Sequence, residues 1–389
     1  MRSSLPSKFS LWPDEWRALL ECASLAPNAE NLAALVRFAD WPRLLALAED
    51  HGVTGQLASR LLQLDQDLVP SAARQTLLER QRARIFFTLR MNAELLRVLQ
   101  RFSAAGIGAL AVKGPVLAVQ AYGDSAMRSY GDLDLLVRQR DIRRATELMI
   151  TAGYQAAVPL RAIDKGKIPG QYLFSNPDSK LLVELHNDFT LRYFPRRLPL
   201  EEFFARQVRV CLDANDAPAP SVEDELVLIC IHGAKHFWER LMWIADVAAL
   251  VSRQSAMDWQ RVADLTDAVG AECMLHTGLR LAADLLRLAL PDRISARVRA
   301  DAAAGRLVER ILGWLPAAGN APPGLLERAV FRLRMRGGLI SAPAYLLRLL
   351  LSPTEEDWQE GSAGSHGRLL EALRRPLRLA RKYGRGDKS

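Results

Sequence analysis

No stretch limits what this chain can fold into more than Arg128-Ser-Tyr-Gly-Asp-Leu-Asp-Leu-Leu-Val137. It reads as a turn feeding a strand. Tyr130 and Gly131 break the preceding structure, and Leu133, Leu135, Leu136 and Val137 supply strand-forming bulk. Side chains alternate along a strand, so Asp132 and Asp134 share one face, roughly 7 Å apart at Cα, while Leu133 and Leu135 point into a core. Two adjacent carboxylates repel, and each pKa rises unless positive charge sits between them. A divalent cation supplies that charge, and hard oxygen ligands suit Mg2+ or Mn2+. The same pair also fits a solvated strand edge, and the stretch alone leaves both readings open.

The rest of the chain, taken in order, surrounds this strand with helices. Residues 14–105 carry repeated apolar stripes at helical spacing, such as Trp16, Leu19 and Leu20, ending in a long amphipathic helix through Leu95, Leu99 and Phe102. His51, in Glu49-Asp50-His51-Gly52, reads as a solvated histidine at a helix end. Ala109–Val112 is a short apolar strand, and Lys113, Gly114 and Pro115 open the helix after it. A helix start with a neighbouring lysine is an anion site, though an ordinary strand–helix turn has the same residues. Asp141 is expected to cap the next helix. Residues 159–170 read as a loop carrying Arg161, Lys165 and Lys167. Tyr172–Phe174 and Leu181–Leu185 form a predicted hairpin turned at Asn176–Ser179, which places Leu182, Glu184 and His186 on one face. Ser221 caps a second helical region, in which His232 and His236 sit four apart. An H-x-x-x-H pair can bind zinc, but no Glu follows His232 and no third ligand is evident.

Composition narrows the function classes. With 389 residues, two or three domains are expected, and 49% hydrophobic content fits packed domains rather than disorder. The cysteines at 22, 211, 230 and 273 show no C-x-x-C pairing and read as buried reduced thiols of a cytoplasmic protein. Neither a signal pattern nor an apolar run long enough for a membrane span is evident. A formal charge of +8 favours anionic partners: nucleotides, nucleic acid, phosphorylated groups or a lipid surface. Arg368–Lys382, basic and amphipathic, reads either as a docked terminal helix or as a grip on an anionic surface.

Taken together, Val112-Lys113-Gly114-Pro115, Arg128, Asp132-Leu-Asp134-Leu-Leu-Val137, Ala152-Gly153-Tyr154, Val183-Glu184-Leu185-His186, His232-Gly-Ala-Lys-His236 and Asp246-Val-Ala form an ordered set over roughly residues 85–255. That set resembles the uncharacterised nucleotidyltransferase family of the DNA polymerase β-like superfamily. Lys-Gly-Pro stands where the wider superfamily has Gly-Gly or Gly-Ser, and Gly114 and Asp132 are 18 positions apart, a longer step than the superfamily's usual one. The resemblance implies an α+β fold: a small mixed-sheet core over 104–215, between an N-terminal helical region (1–103) and a C-terminal one (216–389) with a basic tail. It implies transfer of an NMP group from an NTP, ATP being the expected donor, to a hydroxyl or phosphate by a two-metal mechanism with Mg2+ or Mn2+. Asp132, Asp134 and Glu184 would be the catalytic carboxylates and metal ligands. Lys113, Gly114, Arg128 and His186 would contact the nucleotide, with His232, His236 and Asp246 behind them. The acceptor, whether small molecule, peptide or protein, is not specified. A nucleotide-binding regulatory or antitoxin-like module without turnover is the alternative, and a basic nucleic-acid or membrane adaptor is a third class. The three intact carboxylates weigh against the second, and the lack of a nucleic-acid-reading motif against the third.

Overall fold

The computed structural model describes residues 11–157, 163, 170–188, 198–317 and 324–335. The 159–170 loop, apart from Ile163 and Gly170, and the whole Arg368–Lys382 stretch lie outside them.

The fold is α+β, a mixed five-stranded sheet with helical flanks. The N-terminal helices are α1 (Asp14–Ala23), α2 (Ala29–Val36), α3 (Trp41–Asp50), α4 (Thr54–Leu61) and α5 (Ser71–Ala104). The strands are β1 (Ala109–Val112), β2 (Asp132–Val137), β3 (Gln155–Ala156), β4 (Gln171–Ser175) and β5 (Leu182–His186). Helix α6 (Gly114–Tyr122) joins β1 to β2, and α7 (Ile142–Thr151) follows β2. The sheet order is β1-β2-β5-β4-β3, and β2 and β5 are its parallel pair. The β4–β5 hairpin has the expected turn, where Asn176 Oδ1 accepts the N–H groups of Asp178 and Ser179. Asp141 precedes α7 but makes no side-chain cap, because it ends a 3-10 turn over Gln139–Asp141.

After a short helix α8 (Leu200–Ala205), an unexpected hairpin pairs β6 (Val208–Leu212) with β7 (Asn215–Ala219). Pro218 within the second strand, with Pro220 just past its end, masked it, since proline cannot donate to a ladder. The C-terminal helices are α9 (Val222–Lys235), α10 (Leu241–Arg253), α11 (Trp259–Val269), α12 (Glu272–Leu286), α13 (Asp292–Ala300), α14 (Ala302–Trp314) and α15 (Leu325–Arg334). Ser221 caps α9 by accepting the Asp224 N–H.

The sheet divides two apolar cores. Leu133, Leu135, Val183 and Leu185 pack one face onto Leu95, Leu99 and Phe102 of α5. On the other face Leu110, Val112 and Leu136 join a larger core built from α1–α4 and the C-terminal helices. That core is pinned by the Trp16 indole, which donates to the Pro316 carbonyl, and by the pairing of half-buried Arg287 with buried Glu21 at 2.6 Å. Among the described residues no helix is long and apolar enough to cross a membrane. No disulfide links the cysteines; Cys22 and Cys230 are buried, Cys273 is half-buried, and Cys211 is exposed, contrary to expectation, because it points outward on the β6 edge.

His51 also departs from expectation. It caps α3, but α10 and Trp16 close over it and leave it buried rather than solvated. Its Nδ1 accepts the Leu241 N–H at 3.3 Å. Burial pushes its pKa from the ordinary 6.5 down to about 4, with Asp50 opposing and Arg240 adding to the shift. A histidine depressed in the fold contributes stability above its unfolded pKa, and loses it as pH falls towards the folded one. Wild-type protein is therefore expected to lose about 2 kcal/mol from this residue between about pH 6.5 and about pH 5. His51→Gln should show a smaller loss in denaturant unfolding over the same interval; an equal loss would place the acid sensitivity elsewhere.

Candidate active site on the sheet face

Strand pairing brings the carboxylates together. In the parallel β2–β5 ladder Asp134 stands directly opposite Glu184, and Asp132 opposite Leu182. Period-two alternation puts Asp132, Asp134, Glu184 and His186 on the face turned towards α9, away from the Leu133–Val183 core. Ligand atoms of Asp134, Glu184 and His186 lie within 4.8 Å of one another. Asp132 stands outside that cluster, one step along the same face of β2.

The electrostatics separate the carboxylates. Asp134 is buried, with Lys113 Nζ 2.8 Å from Oδ2 and His186 Nε2 2.7 Å from Oδ1. Burial acts to raise its pKa, but Lys113 and His186 outweigh it and hold the carboxyl well below the usual carboxylate range. His186 Nε2 also lies 3.3 Å from Glu184 Oε2, so the nitrogen facing two acceptors carries the hydrogen. Glu184 is lowered too, burial being overcome by that histidine, and it accepts the Gln171 amide at 2.6 Å. Gln171 in turn takes Lys235 Nζ at 3.1 Å. Asp132 goes the other way: burial and then the Asp134 charge push it up.

The turn from β1 into α6 is compressed. Lys113 has φ +52° and ψ −139°, a region that non-glycine residues avoid at a cost of about 1–3 kcal/mol. What holds it is Glu225 on α9, whose Oε1 accepts the Lys113 N–H at 2.8 Å. Burial pushes the Glu225 carboxyl up to about 7, against the lowering effect of Lys113, and its Oε2 meets no partner. The motif reading missed Glu225. The signal was available: the run Leu226–Ile231 makes α9 apolar all round, and an acid opening a helix buried on all sides requires a partner. Gly114, at φ +41°, brings the helix start against β2, where an added Cβ would lie 3.7 Å from the Asp132 carbonyl.

Arg128 and Asp246 meet each other. Arg128 Nε donates to Asp246 Oδ2 at 2.8 Å with both side chains buried, and Tyr122 donates to the other carboxylate oxygen at 3.0 Å. Burial acts to lower the Arg128 pKa, but Asp246 outweighs it and raises it. Arg128→Met strands a buried carboxylate and is expected to destabilise the protein by about 3 kcal/mol or more. Melting curves check this; an unchanged curve would mean that Asp246 finds another cation.

His232 and His236 stack tilted at 4.6 Å between ring centroids, with Trp243 beside both. Lys113 Nζ lies 3.5 Å from His232 Nδ1. Burial, then Lys113 and His236, drive His232 well below its ordinary pKa; burial and then Lys235 take His236 down to about 3. Both rings are neutral at neutral pH, and nothing gathers them with a third ligand into a zinc site among the described residues.

With this geometry in view, comparison with known families is decisive. The model of an uncharacterised nucleotidyltransferase family matches residues 38–287. The chain belongs to that family. The match takes in the N-terminal helices from α3 onward, the whole sheet and the C-terminal helices through α12, so it covers every residue discussed above at the sheet face. Membership supports a general nucleotidyl transfer and a nucleotide substrate for this nucleotidyltransferase. A search of curated proteins finds no match.

Proposed function

We propose that this nucleotidyltransferase moves an NMP group from an NTP, ATP being the expected donor, to a hydroxyl or phosphate acceptor with release of pyrophosphate. The observation that carries the reading is the convergence of Asp134, Glu184 and His186 within 4.8 Å on one sheet face. The donor set fits a hard divalent cation, Mg2+ or Mn2+. Two carboxylates converge, and Asp132 beside them has a raised pKa and no ion pair of its own among the described residues. Asp132, Asp134 and Glu184 would hold it; once bound, such an ion supplies positive charge to the transferring phosphoryl group and acidifies the acceptor.

The remaining roles belong to the chain's own side chains. Lys113 neutralises Asp134 at 2.8 Å, and the outer phosphates of the nucleotide would compete for the same ammonium. The N–H groups at the start of α6, with Gly114 leaving room, would take phosphate oxygens. His186 donates towards Asp134 and Glu184 and so orients both. Glu184, half-buried and ionised, would accept the acceptor's proton or complete the ion's ligands. Arg128, held by Asp246, adds fixed positive charge behind the site rather than reaching out of it. Neutral His232 and His236 would wall the pocket without adding charge.

Incubating the protein with each NTP, Mg2+ and a panel of hydroxyl- and phosphate-bearing small molecules, peptides and proteins, then measuring acceptor masses, tests this. An added NMP mass is expected. Tight nucleotide binding with every acceptor unchanged would favour the non-catalytic nucleotide-binding module instead.

A further inference from the structure

A concavity of about 240 Å³, away from the sheet-face carboxylates, opens between α4, α5 and the loop over residues 124–127. Arg84 lines it from α5. Among the described residues its guanidinium makes no hydrogen bond and no ion pair, and its Nη1 is shut off from solvent without an acceptor. Arginine stays protonated in proteins, so this is a partly buried charge without a counter-ion, which folding does not retain for stability. Burial lowers the Arg84 pKa, Arg80 adds to this, and Glu49 only partly offsets it. The buried Thr88 hydroxyl lies in the same wall, turned to Tyr130. Gly55 admits the guanidinium: a Cβ there would stand 2.6 Å from the Met127 carbonyl oxygen and 2.8 Å from Arg84 Nη1.

The rest of the wall narrows the ligand. Asp124 and Asp213 line the cavity but are engaged elsewhere. Asp124 Oδ1 accepts the Ala126 N–H at 2.8 Å, and Asp213 Oδ2 accepts the Asn92 amide at 3.1 Å. Two carboxylates nearby disfavour a doubly charged guest more than a singly charged one. At the rim Ile85 and Leu89 expose large apolar side chains, 43% and 48% accessible. We propose that this cavity binds a monocarboxylate with an apolar chain, its carboxylate on the Arg84 fork and its chain against Ile85 and Leu89.

The test is calorimetric titration of the full chain with hexanoate, hexanol and inorganic phosphate. Saturable hexanoate binding is expected, at least about 10-fold tighter than hexanol or phosphate. Arg84→Met should weaken hexanoate by about 10-fold or more. Because the charge it removes is unpaired, that variant should melt no lower than wild type in the absence of ligand. Ile85→Asp, at an exposed position, places a repelling charge at the rim and should weaken hexanoate similarly, so the proposal stays testable if the arginine variant does not fold. Absence of saturable hexanoate binding, unchanged binding in the variants, or phosphate binding as tight as hexanoate would overturn the assignment. The titration contains no nucleotide, so its outcome is independent of the nucleotidyl-transfer reading.

Discussion

Asp132→Asn combined with Asp134→Asn is expected to lower nucleotidyl transfer by about 100-fold or more, since each change removes negative charge that would hold the cation at the transferring phosphate. The two single variants should differ in stability. Asp132 carries a pKa raised by burial and by Asp134, so its neutralisation relieves repulsion and the fold should melt no lower than wild type. Asp134 is the partner of buried Lys113 and of His186. Its Asn variant leaves that ammonium with a weaker acceptor and should melt measurably lower. Activity assays with matched melting curves read both effects; a double variant that is folded and fully active would end the metal-carboxylate reading.

Glu184→Gln should have the next largest effect on turnover and little effect on the fold. Neither nearby cation depends on Glu184: Lys113 pairs with Asp134, and Arg128 with Asp246. Removing the Glu184 charge therefore strands no buried cation, unlike Arg128→Met in the opposite sense. Nucleotide titration should give near-wild-type affinity, because Asp132 and Asp134 remain. Turnover should fall steeply as acceptor activation is lost. If Glu184 is the base, raising pH should restore part of the rate; if it only ligates, pH should make no difference. A large drop in melting temperature with normal turnover in the folded fraction would make Glu184 a structural residue.

Much of this site was legible because strand periodicity is strict. Asp132, Asp134, Glu184 and His186 could be assigned to faces from the alternation of Leu133, Leu135, Val183 and Leu185 alone, and the parallel ladder that sets Asp134 opposite Glu184 needed only β5 to lie beside β2. What sequence could not reveal is which charge meets which. Arg128 suited a phosphate contact as well as an ion pair, and the choice depended on α10 delivering Asp246 from 118 positions away. For Glu225 the apolar run after it signalled the need for a partner but not which one: a backbone N–H in the turn from β1 into α6. His51 read as solvated because helix ends usually are, until α10 closed over it. The β6–β7 hairpin was hidden by Pro218 in its second strand.

The most direct test of the central claim follows the phosphorus. Protein, Mg2+, acceptor pool and ATP labelled at either the α- or the γ-phosphate are incubated in parallel, and label in the acceptor is counted. The account predicts transfer from α-labelled ATP alone, abolished in the Asp132→Asn/Asp134→Asn variant. Transfer from the γ-position, or α-label transfer that persists in the folded double variant, would contradict it.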